Sequence, residues 1–124
     1  MKALVVDDSS TVRKIVARIL EKLGFECHQA SNGQEALDVV AGHPDICLAM
    51  VDWNMPIMNG LEFVQTLRQS VPSESMRVIM VTTEMEMRQV TAALEAGVDE
   101  YIMKPFTTDI VEEKLQMIGV GLPG

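Results

Sequence analysis

The chain has 124 residues, enough for one ordinary domain with a real core and too few for two. Hydrophobic residues make up 48%, which excludes a disordered chain, and no apolar run approaches the roughly 20 residues that a membrane span needs. Eighteen acids against ten bases give a net charge of −8 with no Lys/Arg run, which argues against nucleic acid and anionic membrane as direct partners.

Lys2–Asp7 is a short apolar, β-rich run that stops too soon for a signal peptide. In the segment after it, Val12, Ile15, Val16, Ile19, Leu20 and Leu23 recur at helical spacing, and Gly24 is a C-cap signal. Glu26–Ala30 reads as a short, weak strand. A second helix starts near Asn32 or Gly33 and ends at His43-Pro44. Asp45–Asp52 is continuously apolar, the mark of a central strand covered on both faces. Pro56 and Asn59-Gly60 place a loop after it, with Trp53 expected as a partly exposed loop residue. Leu61–Ser70 is a third helix, Arg77–Thr82 a fourth strand, Glu86–Gly97 a fourth helix and Asp99–Lys104 a fifth strand. Pro105 breaks the chain. The last helix takes Thr107 or Thr108 as N-cap, and Asp109, Glu112 and Glu113 suit its dipole.

Strict alternation of strand and helix predicts an α/β fold. The expected form is a doubly wound, five-stranded parallel sheet of order 2-1-3-4-5 flanked by five helices, in one domain with no output domain. Cys27 and Cys47 lack metal-like spacing and read as reduced, buried thiols of a cytoplasmic protein. His28 and His43 have no ligand partners at suitable spacing.

In such folds the site lies at the carboxyl ends of the strands. There the first strand presents Asp7 and Asp8, the third Asp52, the fourth Thr82 and Thr83, and the fifth Lys104. Clustered carboxylates cannot all stay ionised cheaply without a cation, and hard oxygen ligands suit Mg²⁺ shared with a phosphate. An ammonium and a hydroxyl beside the metal form a clamp for phosphoryl transfer, with Asp52, alone on the central strand, as nucleophile. The bland alternatives are Asp7 and Asp8 as helix caps, Asp52 as a turn residue and Lys104 as a solvated charge. Ser9 and Ser10 already suffice as caps, and Pro105 argues against the last.

The motifs VVDDSS, VDWNMPIMNGLE, MVTTE and YIMKPF stand in order over nearly the whole chain. Together they resemble the receiver domain of two-component response regulators, and in particular its single-domain chemotaxis members. The resemblance implies Asp52 as phosphoacceptor. It implies Asp8 as a direct Mg²⁺ ligand, Asp7 as a helper through water, and the Asn54 backbone carbonyl as a further ligand. Thr82 and Tyr101 would form the switch pair, Lys104 would pair with the phosphoryl oxygens, and the Lys104–Pro105 bond would be cis. Asn54 and Glu84 occupy positions that tune phosphoaspartate lifetime. A histidine kinase is the implied phosphodonor. A downstream protein such as the flagellar motor switch is the implied target, a phosphatase a further partner, and the protein a monomer that turns over no separate metabolite.

Two departures stand out. Met85, Glu86 and Met87 precede Arg88 where chemotaxis regulators often carry basic residues, which alters the face around the fourth helix and bears on recognition of the motor switch. Thr83 replaces a commonly smaller residue and narrows access to the site. Other readings are a stand-alone receiver in a non-chemotaxis phosphorelay, a flavodoxin-like electron carrier, an aspartyl phosphohydrolase and a pure binding module. Asp7 and Asp8 would repel a flavin phosphate, and flanking aromatics for the flavin ring are missing. A hydrolase wants a second acid where Asn54 stands. The intact acid, Thr and Lys set argues against the last.

Overall fold

The computed structural model describes residues 1–83 and 90–120. Strands β1 (Lys2–Val6), β2 (Glu26–Ala30), β3 (Ile46–Asp52), β4 (Arg77–Thr82) and β5 (Glu100–Met103) pair in parallel in the order β2-β1-β3-β4-β5. Helices α1 (Ser10–Lys22), α2 (Gly33–Gly42), α3 (Gly60–Leu67), α4 (Val90–Ala96) and α5 (Thr108–Met117) connect and cover them. The expected strand order and fold class are both observed.

Alternation along the strands splits the core in two. Leu4, Val6, Ala49, Val51, Val78 and Met80 face one cluster with Phe63, Val64 and Ala93 from α3 and α4. Ala3, Val5, Leu48, Met50, Ile79 and Val81 face the other, with Val16, Leu20, Val111 and Leu115 from α1 and α5. Both clusters consist of buried side chains, which is why β3 and β4 read as unbroken apolar runs.

Side-chain caps set the helix starts. Ser9, Asn32, Asn59 and Thr107 accept from the backbone N–H three residues on, and Asn59 with Glu62 completes a capping box. Of the two N-caps expected for α5, Thr107 is the one used.

Element ends differ from expectation by a few residues. Asp7 lies just beyond β1, α3 ends at Leu67, and Asp99 precedes β5. Trp53 is buried at 5% exposure rather than partly exposed, because it packs into the α2–α4 core. Cys27 and Cys47 are half-buried rather than buried, because each packs only at the fringe of the α1/α5 core. Both are free thiols, and burial pushes that of Cys27 up to about 11, which leaves it a poor nucleophile. Glu84, Met85, Glu86, Met87 and Arg88 lie outside the described residues.

Candidate functional site

Strand register builds the site. Val6 pairs with Val51, so Asp7 and Asp52 end level on neighbouring strands. Asp52 pairs with Val81, and Thr82 pairs with Met103. The next residue after β5, Lys104, donates its backbone N–H to Thr82 O at 2.8 Å. The Lys104–Pro105 peptide bond is cis. Alternation then puts Asp7, Asp52 and Lys104 on the α1/α5 side and Thr82 and Tyr101 on the α2–α4 side.

Asp7, Asp8 and Asp52 each offer a carboxylate oxygen, all within 4.8 Å of one another. Asp7 and Asp52 are buried at 4% and 7% exposure, whereas Asp8 is exposed. Lys104 Nζ lies 3.1 Å from Asp52 Oδ1 and 3.5 Å from Asp7 Oδ2. Burial pulls the Lys104 pKa down, but the hydrogen bond and charge of Asp52, followed by Asp7, outweigh it, so the ammonium titrates above its ordinary 10.5. Among the described residues, the Lys104 ammonium faces a cluster of three carboxylates. The donors are all hard oxygens with one exposed member, which fits a divalent cation that keeps waters or shares a ligand.

The backbone around these groups is held tightly. Asp7 Oδ1 accepts from Ser9 N at 2.9 Å, and Arg13 Nη1 donates to Asp7 O at 2.6 Å while Arg13 Nε reaches Gln29 at 3.3 Å. Gly60 abuts the carbonyl of Asp52; a Cβ there would stand 2.4 Å from it. Gly60 N also donates to Trp53 O at 3.0 Å, closing the loop that contains Asn54.

Thr82 is fully buried. Tyr101 pairs with Met80, so it sits diagonally from Thr82 on the same sheet face, within an aromatic side chain's reach. Lys114 Nζ lies 5.1 Å from the Tyr101 ring centroid.

The structure therefore brings Asp7, Asp8, Asp52 and Lys104 together and sets Thr82 and Tyr101 on the opposite side of the same strand ends. Glu84 lies outside the described residues. Sequence reasoning missed Arg13 and Lys114, whose contacts cross elements and leave no spacing signal. It also missed the pairing of His28 with His43, whose ring centroids are 4.1 Å apart.

The family model described as response regulator receiver domain matches residues 3–116. A chemotaxis protein CheY homolog of Campylobacter jejuni is 47% identical over 123 residues, spanning 98% of this chain and 95% of that protein. The structure of Vibrio cholerae chemotaxis protein CheY4 matches with TM-score 0.84 at 31% identity, covering 94% of this chain and 97% of that one. A probable two-component response regulator/GGDEF domain protein matches with TM-score 0.90 at 28% identity; 95% of this chain spans about half (48%) of that one.

Proposed function

The chain belongs to the response regulator receiver family, and from that premise we propose that it is a stand-alone, chemotaxis-type regulator switched by phosphorylation of Asp52. The observation that carries this reading is the Lys104 ammonium 3.1 Å from Asp52 within a three-carboxylate cluster at the strand ends.

Asp7, Asp8 and Asp52, with the backbone carbonyl of Asn54, would hold Mg²⁺, which when bound supplies positive charge to phosphoryl oxygens. In the transfer itself, an Asp52 oxygen attacks the phosphorus of a histidine kinase's phosphohistidine. The new O–P bond forms as the N–P bond breaks, and the imidazole leaves as the neutral base once protonated. Lys104 gives up part of its pairing with Asp52 to meet a phosphoryl oxygen. The Thr82 hydroxyl donates to another, and Tyr101 follows Thr82 inward, shifting an existing balance of two conformers. Asn54 and Glu84 occupy the sequence positions that tune the lifetime of the acyl phosphate in this family.

Output then depends on protein binding. Leu94 on α4, Met103 on β5 opposite Thr82, and Ile110 on α5 expose apolar surface. A flagellar motor switch protein is the proposed target in a cytoplasmic setting, with a phosphatase resetting the signal. No helix among the described residues is long and apolar enough to cross a membrane. A stand-alone receiver in a non-chemotaxis phosphorelay is the alternative, favoured by Met85, Glu86 and Met87 where basic residues are common.

Borohydride trapping tests the assignment. After incubation with Mg²⁺ and acetyl phosphate, reduction of an aspartyl phosphate leaves homoserine in its place. Peptide mapping should find homoserine at residue 52; homoserine elsewhere would overturn the assignment.

A further inference from the structure

Tyr101 stands on β5, the edge strand of the sheet among the described residues. Its side chain projects to the α2–α4 face, yet the cation over its ring comes from α5, on the other face. Lys114 therefore wraps the edge. Its ammonium is held there by a second contact, 3.6 Å from Glu100 Oε1. Glu100 is itself fixed, since the same oxygen accepts Tyr101 N at 2.9 Å. The Glu100 and Lys114 side chains are only 16% and 24% exposed, so water screens the group weakly.

A cation over an aromatic face attracts the ring's negative quadrupole, and the attraction strengthens when the pair is desolvated. Because Glu100 anchors the ammonium, the attraction has a fixed address: the ring is favoured where it meets Lys114, at the sheet edge. A ring that moves toward Thr82, two residues along the partner strand from Met80, must leave that cation.

We infer that Lys114, anchored by Glu100, is a positioning residue that holds the Tyr101 ring at the sheet edge and so sets the resting balance of the switch. The inference rests on the proposed Thr82–Tyr101 coupling and adds to it a counterweight. Loss of the ammonium lowers the barrier to the inward ring and raises the inward population before any phosphoryl group arrives.

Tyr101 is the chain's sole tyrosine, so 3-fluorotyrosine labelling gives one ¹⁹F resonance to follow. The wild type is recorded at rest and with Mg²⁺ and beryllium fluoride, a phosphoryl mimic; these define the two ends of a line of chemical shifts. Lys114→Met keeps the apolar stem and removes the charge. Its resting resonance is expected part-way along that line, and its initial rate of phosphorylation by acetyl phosphate is expected to rise by about twofold or more. Lys114→Arg should return both to wild-type values, and Glu100→Gln should move both in the direction of Lys114→Met. A Met variant whose resting resonance and rate match the wild type overturns the inference, as does a shift that Arg does not reverse. A wild-type resonance that does not respond to the mimic defeats the Thr82–Tyr101 reading and the inference with it, while homoserine at residue 52 would still support Asp52 as acceptor.

Discussion

Lys104 reaches across strand β4 to Asp52: the lysine follows β5, the aspartate ends β3, and their Nζ and Oδ1 atoms are 3.1 Å apart. Two strand spacings separate the backbones, about 10 Å, which a lysine stem helps to span. The pair thus ties the edge of the sheet to its centre at the point where the phosphoryl group is proposed to enter.

The pairing predicts a particular pH dependence. The native Lys104 pKa is raised above its ordinary 10.5 because the pull of Asp52 and Asp7 exceeds the effect of burial. Its contribution to stability is therefore present in full below about 10.5 and is lost as pH rises through the higher native value. Urea midpoints should fall more steeply between pH 10 and 12 in the wild type than in Lys104→Met, measured without Mg²⁺. Parallel curves would show that the pair does not stabilise the fold.

Asp8→Asn removes the exposed member of the carboxylate cluster with little effect on packing. Mg²⁺ affinity should drop by at least about tenfold, read by the fluorescence of Trp53, the chain's one tryptophan beside Asp52. Labelling by acetyl phosphate should slow in step. An unchanged titration would remove Asp8 from the metal site.

Gly60→Ala should be costly, since the added Cβ meets the Asp52 carbonyl at 2.4 Å. About 1–3 kcal/mol of destabilisation is expected, seen as a lower urea midpoint. The phosphorylation rate should also fall under conditions where the variant is folded, because the same collision displaces Asp52.

Asp99 separates structure from switching. It binds Arg68 Nη2 at 3.0 Å, Arg77 Nη1 at 3.4 Å, Val78 N at 2.8 Å and Ser73 Oγ, at the opposite end of β4 from the carboxylate cluster. Arg68 in turn donates to the carbonyls of Val71, Met76 and Gly97. Asp99→Ala strands the Arg68 guanidinium, only 12% exposed, and should cost roughly 3 kcal/mol. Labelling of the folded fraction should stay near wild type.

Much of this architecture was legible because the sheet is covered on both sides. Ile46–Val51 and Val78–Val81 are apolar throughout only because α1 and α5 lie on one face and α2 to α4 on the other. Alternation implied a parallel sheet, and with the order 2-1-3-4-5 supposed, Asp7, Asp8, Asp52 and Lys104 converge at the strand ends. What was not legible depends on contacts between distant segments. Trp53 follows a strand end and looks like loop, yet its ring enters the core. Asp99 looks like a strand residue, but its four partners, Arg68, Ser73, Arg77 and Val78, lie far earlier in the chain. His28 and His43 share no sequence period, and meet where α2 packs against β2.

Intact-protein mass spectrometry tests the central claim most directly. Protein is incubated with Mg²⁺ and acetyl phosphate, beside an Asp52→Asn control and a sample with the metal chelated. The account predicts one added phosphoryl group in the wild type, stable in mild acid and lost in base, and none in either control. A folded, Mg²⁺-binding wild type that gains no such group, or an Asn variant that gains it equally, would contradict the assignment of Asp52 as the acceptor.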